Sequence, residues 1–298
     1  MASLMAKISG VLVKRMVQPI FQPDVPIQKQ RQRLDFIQKF APLPMGVKKQ
    51  SITLAGLRTW RLTPTASASD KQLLYLHGGG YVSGSLQSHA DLAARLAKAT
   101  GMTTNLIDYR LAPEHPFPAG LNDALAAYKA LIEQGPVCIA GDSAGGGLTL
   151  ALMQQIREQQ LPEPNALVLF SPWTDLACQG DSFQTRTTRE KLLSPEWIQA
   201  MVPAYIGEEA VSNPLISPLH ADFRDFPATL IQVGSEEILY SDSTRLYEQM
   251  QQAQVKVSLR EYPEMWHVFQ AHAGYMPESR QALEDVASFL RQIKTSAA

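Results

Sequence analysis

The chain has 298 residues, 45% of them hydrophobic and 18% charged, with 27 lysines and arginines against 28 aspartates and glutamates and a formal net charge of −1. This composition supports a large apolar core and excludes an intrinsically disordered chain. No long basic block offers a track for nucleic acid or an anionic membrane surface, and no apolar run approaches the ~18 residues of a membrane span, so neither partner is expected. A small neutral ligand fits better.

Cys138 and Cys178 are the two cysteines, too few for a disulfide framework or a cysteine-based metal site. Their scarcity points to a reducing compartment, and a cytoplasmic protein is expected. Lys7, Lys14 and Arg15 break the apolar N-terminus, so it does not read as a signal peptide.

Residues 1–45 form a first unit. Leu4, Met5, Ile8, Val11, Leu12 and Met16 recur at helical spacing, as do Ile27, Leu34, Phe36, Ile37 and Phe40, with a proline-rich link from Pro19 to Pro26 between the two patterns. Two amphipathic helices that serve as a lid are expected, and no long exposed apolar surface of the kind that works at an oil interface is evident. Residues 46–178 and 215–298 then read as two parts of one core. A hairpin turns at Ala55-Gly56, and strands are expected at 72–76, 102–107, 136–140, 166–170, 228–233 and 255–260. Helices are expected at 88–100, 118–134, from Ser143 onward, 242–252 and 278–294, with a serine-rich turn at 66–70. Strand and helix in alternation describe an α/β protein with a mostly parallel sheet covered on both faces. Residues 179–214 interrupt this rhythm with a helical piece at 195–201, and they read as an insertion that joins the N-terminal helices in a cap.

The segment Pro136 to Leu150 carries the chemistry. An apolar run ends at Gly141-Asp142-Ser143-Ala144-Gly145 and continues as a small-residue helix. The five-residue pattern is common by itself; between a strand and a helix it describes a sharp turn that lifts a serine hydroxyl above the sheet and turns the Ala144 N–H to the mouth of a helix. Serine needs a base and a group to hold that base. In hydrolases of this kind the chain order is nucleophile, acid, base, each beyond the carboxyl end of a strand. Among six histidines only His267 and His272 follow the last strand, and His267 lies in the loop directly after it, whereas His272 reads as solvated or as a helix start. The acid belongs after strand 228–233, where Glu236, Glu237 and Asp242 all stand; spacing does not choose among them, though Asp242 also suits a helix N-terminus. A second donor for an oxyanion comes from the glycine loop His77-Gly78-Gly79-Gly80, in which His77 reads as structural.

Four motifs in this order, His77-Gly78-Gly79-Gly80, Asp108 to Glu114, Gly141 to Gly146 and His267-Val268-Phe269, resemble the bacterial hormone-sensitive-lipase-like (family IV) carboxylesterases of the α/β-hydrolase superfamily, over residues 70–295. The resemblance implies the α/β-hydrolase fold, with an eight-stranded, mostly parallel sheet and a helical cap, and a serine carboxylesterase for short- to medium-chain esters, without metal or cofactor. It implies Ser143 as nucleophile, His267 as base and Gly79, Gly80 and Ala144 as oxyanion donors. Many members carry Asp-x-Leu where this chain has Glu237-Ile238-Leu239, which favours Glu237 as the acid. Arg110 and Glu114 are expected to pair near the sheet end. Tyr81, Asp142, Trp197, Met201, Tyr205 and Ile206 are the candidates for substrate contact, and pairing of two chains along the last strand into a homodimer is an option that relatives use. A ligand-binding protein without chemistry and an amidase or acyltransferase are the competing readings.

Overall fold

Runs rich in leucine, valine and isoleucine build one sheet in this computed structural model, which describes residues 2–39, 41–66 and 69–293. Its strands are β1 (Val47–Leu54), β2 (Leu57–Pro64), β3 (Gln72–Leu76), β4 (Thr103–Ile107), β5 (Val137–Asp142), β6 (Leu167–Phe170), β7 (Thr229–Gly234) and β8 (Val257–Tyr262). The spatial order is β1-β2-β4-β3-β5-β6-β7-β8. β2 runs antiparallel to β1 and β4, and the remaining neighbours are parallel. Positive φ at Ala55 and Gly56 forms the two-residue turn that the hairpin needs.

The helices are α1 (Leu4–Leu12), α2 (Ile27–Gln38), α3 (Leu86–Thr100), α4 (Ala119–Ile132), α5 (Ala144–Glu158), α6 (Ser182–Thr185), α7 (Pro195–Ile206), α8 (Tyr240–Gln252) and α9 (Pro277–Gln292). β5, β6 and β7 are buried along their whole length, because helices cover both faces. Leu92 and Leu96 of α3 join Val286 and Leu290 of α9 in one core layer; Leu121 of α4, Leu148 of α5 and Leu246 of α8 belong to the other. Helix α3 starts two residues earlier than expected because Ser85 and Ser88 cap it reciprocally, and Gly101 ends it at φ +71°. Phe40, the expected turn residues Ser67 and Ala68, and position 294 of the last helix lie outside the described residues.

The turn from β5 to α5 explains its two glycines by contact. A Cβ on Gly141 would stand 2.2 Å from the Gly145 carbonyl oxygen, and one on Gly145 would stand 2.0 Å from the Leu76 oxygen. Both obstacles are backbone, so neither can swing aside. Gly145→Ala is therefore expected to lower stability by about 1–3 kcal/mol as α5 is pushed off β3, read as a lower midpoint in denaturant unfolding.

The N-terminal segment differs from expectation. After α1 the chain makes a wide helical turn at Val13–Val17 and a tight one at Gln18–Ile20 before α2. Ala6, Ser9 and Gly10 face the body, while Leu4, Met5, Ile8, Val11, Leu12 and Met16 face outward. The reason is proximity: a Cβ on Gly10 would lie only 3.3 Å from the Trp266 ring, so α1 sits down on its small residues and its large ones have no room beneath. The expected absence of an exposed apolar surface is thus corrected. No helix among the described residues is long and apolar enough to cross a membrane.

Candidate active site

Ser143 stands at φ +53°, ψ −120° between β5 and α5, a strained backbone position for a residue with a Cβ. Neighbours over-determine it: its N–H donates to the Phe170 carbonyl at 2.8 Å, and its carbonyl accepts from the N–H groups of Gly146, Gly147 and Trp173. The side chain faces a cavity of about 120 Å³ that His267, Gly79, Gly80, Asp142 and Trp197 also line.

His267 and Glu237 meet beside it. Nδ1 of His267 lies 3.0 Å from Oε2 of Glu237, and both side chains are buried. The other carboxylate oxygen accepts from the Gly234 N–H at 2.6 Å and the Ser171 hydroxyl at 2.7 Å, so Glu237 is held from three sides. Ser171 also accepts from the Val268 N–H at 3.2 Å, tying the loop of the acid to the loop of the histidine. Nε2 of His267 is buried and has no hydrogen-bond partner among the described residues. Burial works to lower the His267 pKa, but the hydrogen bond and charge of Glu237, with Glu190 and Asp142 adding, outweigh it and hold the imidazole above its ordinary value.

The other two carboxylates do different work. Glu236 is half-buried beside a separate surface hollow with Lys7 and Glu264. Asp242, in the first turn of α8, accepts from the Thr174 and Asp175 N–H groups at 2.7 and 2.9 Å, and burial pushes its carboxyl up to about 7. His272 is half-buried rather than solvated: it closes the short turn Phe269–His272, lines the same cavity, and burial lowers its pKa to about 4.

The glycine loop after β3 is built for close approach. Gly79 and Gly80 have φ of +120° and +63°; a Cβ on the first would meet the Ser83 carbonyl at 2.3 Å and one on the second the Trp197 ring at 2.8 Å. His77 anchors this loop: its Nδ1 lies 2.9 Å from the Gly78 oxygen, and its ring stacks on Tyr109 and His89. Burial keeps it neutral, with a pKa lowered to about 3. Ala144 follows the serine as the first residue of α5.

Of the six substrate-contact candidates, Asp142 and Trp197 line the cavity. Asp142 accepts from the Tyr75 hydroxyl at 2.7 Å and lies 3.4 Å from the His89 Nε2. Tyr81 and Tyr205 stack on each other at 3.7 Å, and Met201 and Ile206 pack in the core around them, so these four are not among the lining residues. Trp197 touches Phe21 edge-on at 4.9 Å and donates to the Gln30 side chain at 2.9 Å, so the N-terminal segment meets α7 at the wall of the cavity. The expected Arg110–Glu114 pair is corrected: Arg110 binds Asp123 at 2.7 Å, and Glu114 binds Arg31 of α2 at 2.8 Å. A carboxylate one turn into α4 lies within reach of Arg110, while α2 brings a competing guanidinium to Glu114. Among the described residues no group of three or more histidine, cysteine, aspartate or glutamate side chains could hold a metal.

Ser171 and Glu190 escaped the sequence reading. Glu190 lies fully buried between α6 and α7 and accepts from the N–H groups of Lys191 and Leu192, each at 2.8 Å, and of Ile238 at 3.3 Å. Burial raises its carboxyl above the ordinary range; the His267 charge opposes this and Glu237 adds to it.

A parallel sheet with a strained serine at the β5 turn and an imidazole–carboxylate pair beside it defines an α/β hydrolase. The family described as alpha/beta hydrolase fold matches residues 73–271. The chain is 42% identical over 251 residues to an acetyl-hydrolase of Streptomyces hygroscopicus, covering 83% of this chain and 84% of that one, and 38% identical over 261 residues to an esterase of Acinetobacter venetianus, covering 86% of each. A crystal structure of a hormone-sensitive lipase from a metagenome library superposes with a TM-score of 0.92 at 37% identity, over 97% of this chain and 98% of that one. The chain belongs to the bacterial hormone-sensitive-lipase-like esterases of the α/β-hydrolase superfamily.

Proposed function

We propose that Ser143, His267 and Glu237 carry out the chemistry of this carboxylic ester hydrolase. The carrying observation is the buried His267, bonded through Nδ1 to Glu237 at 3.0 Å, with its Nε2 unpartnered and its ring lining one cavity with Ser143. His267 takes the Ser143 proton as the oxygen attacks the ester carbonyl, and the N–H groups of Gly79, Gly80 and Ala144 hold the oxyanion. His267 then protonates the leaving alcohol, and water repeats the sequence to release the acid. Glu237 fixes the imidazole tautomer and stabilises its cation without taking the proton.

Residues 1–45 and 179–214 form the cap in this reading, a division supported by the contacts of Trp197 with Phe21 and Gln30. The cavity of about 120 Å³ is smaller than the ~150 Å³ that admits benzene, which supports a short acyl group, as does the acetyl-hydrolase name of one relative. Across p-nitrophenyl esters from acetate to laurate, kcat/KM is expected to peak at acetate or butyrate, with the matching anilides hydrolysed far more slowly. A laurate optimum would contradict the short acyl site, and anilide preference would make the enzyme an amidase. A cytoplasmic location is our reading, supported by two free cysteines. Pairing of two copies along β8, an end strand of the sheet, is a further reading.

The pH dependence has a definite sign. Imidazolium cannot accept the serine proton, so activity appears as His267 deprotonates, and its pKa lies above the ordinary ~6.5. The pH profile of kcat/KM is expected to rise through a midpoint above that value. The same raised pKa adds to folding stability below pH ~6.5, a contribution lost as pH climbs through the folded-state value. A midpoint on the acid side of ~6.5 would show that Glu237 does not support the cation.

A further inference from the structure

We propose that the outer face of α1 and the adjoining α2 docks on an anionic lipid surface. Leu4, Ile8, Val11, Leu12 and Met16 form one outward stripe, with Leu4 74% and Met16 62% exposed. Ile37 of α2 lies 39% exposed beside it, and Met16, Ile37 and Arg33 line a common surface groove. This is a contiguous patch of large side chains, and such patches on globular proteins mark contact sites.

Charge selects the occupant. Residues 1–39 hold seven lysines and arginines against two aspartates in a chain whose net charge is −1. Arg31 is paired with Glu114 and Lys7 shares a hollow with Glu236 and Glu264, which leaves Lys14, Arg15, Lys29, Arg33 and Lys39 exposed as the positive groups of this segment. A second copy of the chain would bring the same positive groups against this one, and like charges across a two-fold contact repel. An anionic bilayer surface offers apolar depth and negative headgroups together, which a basic amphipathic helix lying in the interface plane matches.

Position adds a third argument. Val13, Val17 and Ile37 line the cavity that holds Ser143, and a neighbouring hollow shares these three residues and adds Leu12 and Met16. The apolar face is therefore continuous with the site, and α1 rests on Trp266, the residue before His267. An ester whose alcohol part is anchored in lipid would reach the cavity from the docked side. Docking goes beyond the assignment of Ser143 and does not depend on it.

The test is co-sedimentation of the full chain with vesicles of phosphatidylcholine alone and of phosphatidylcholine with an equal share of phosphatidylglycerol. Binding to the anionic vesicles only is expected, weakening as salt is raised. Arg15→Ser with Arg33→Ser should reduce the partition coefficient about fivefold per charge removed, and Leu4→Ser with Ile8→Ser by about tenfold or more. Both pairs should keep kcat/KM on soluble p-nitrophenyl acetate within about twofold, which reports that the fold is intact. Ser143→Ala should bind vesicles as the wild type does, so that loss of catalysis and loss of docking stay separate. No binding, equal binding to both vesicle types, or variants that bind as well as the wild type would overturn the proposal. So would a concentration-dependent dimer that Leu4→Ser with Ile8→Ser abolishes in the absence of vesicle binding, since the face would then belong to a second copy.

Discussion

Ser143→Ala is expected to lower kcat by a factor on the order of 10⁶ while leaving the fold unchanged. The oxygen removed faces the cavity, and the strained backbone at this position is held by bonds through its own N–H and carbonyl, which alanine keeps. Alanine has the same Cβ as serine, so the positive φ costs the variant no more than it costs the wild type. Unfolding midpoints should therefore coincide, and a sulfonyl fluoride should label the wild type once and the variant not at all. Residual hydrolysis above the uncatalysed rate is expected from the proposed oxyanion donors, which the substitution does not touch. Turnover near the wild-type rate in a preparation free of other esterases would remove Ser143 from the mechanism.

What the sequence carried and what it did not divides along a physical line. Strands buried on both faces announce themselves as apolar runs, and the turn between β5 and α5 announces itself through glycines that only close backbone contact requires. Those features are local. Spacing alone left three carboxylates as candidate acids and the resemblance favoured Glu237, because proximity to His267 depends on where the loop after β7 meets the loop after β8, and it is the fold that brings Glu237 to His267. Ser171 follows the same logic. It follows β6 directly, its N–H bonds to the Gln232 carbonyl of β7, and so the strand order places its hydroxyl beside Glu237. A reader who knew that order could have found it; Glu190 had no such signal, since a glutamate in a polar segment reads as solvated. The N-terminal helix shows the opposite failure. Helical spacing correctly located α1, yet amphipathicity does not say which face turns inward when small residues permit a closer approach than large ones. The Arg110 pairing failed for a related reason, because a salt bridge goes to whichever carboxylate tertiary packing brings within reach.

Glu237→Gln is expected to lower kcat by about 10⁴ and Glu236→Gln by little more than experimental scatter. The amide is nearly the shape of the carboxylate, so the comparison isolates charge and proton logic from packing. In the wild type Oε2 accepts from Nδ1–H, which leaves Nε2 without a partner and, in the proposed mechanism, free to take the Ser143 proton. A glutamine can meet Nδ1 with its N–H₂ instead, which favours the tautomer whose Nε2 carries the proton and cannot receive another. The imidazolium formed during attack also loses its counter-charge inside a buried site, where the Coulomb loss is large. The pH profile offers a second reading of the same change: without Glu237 the remaining burial dominates and the His267 pKa falls, so the midpoint should move to lower pH even as the plateau drops. A structural role alone would lower both rate and stability without moving that midpoint. Equal losses at 236 and 237, or a larger one at 236, would transfer the acid to the other side chain. If Asp242→Asn matched the Glu237 effect, the carboxylate that holds the Thr174–Asp175 turn would have to be counted part of the catalytic apparatus as well.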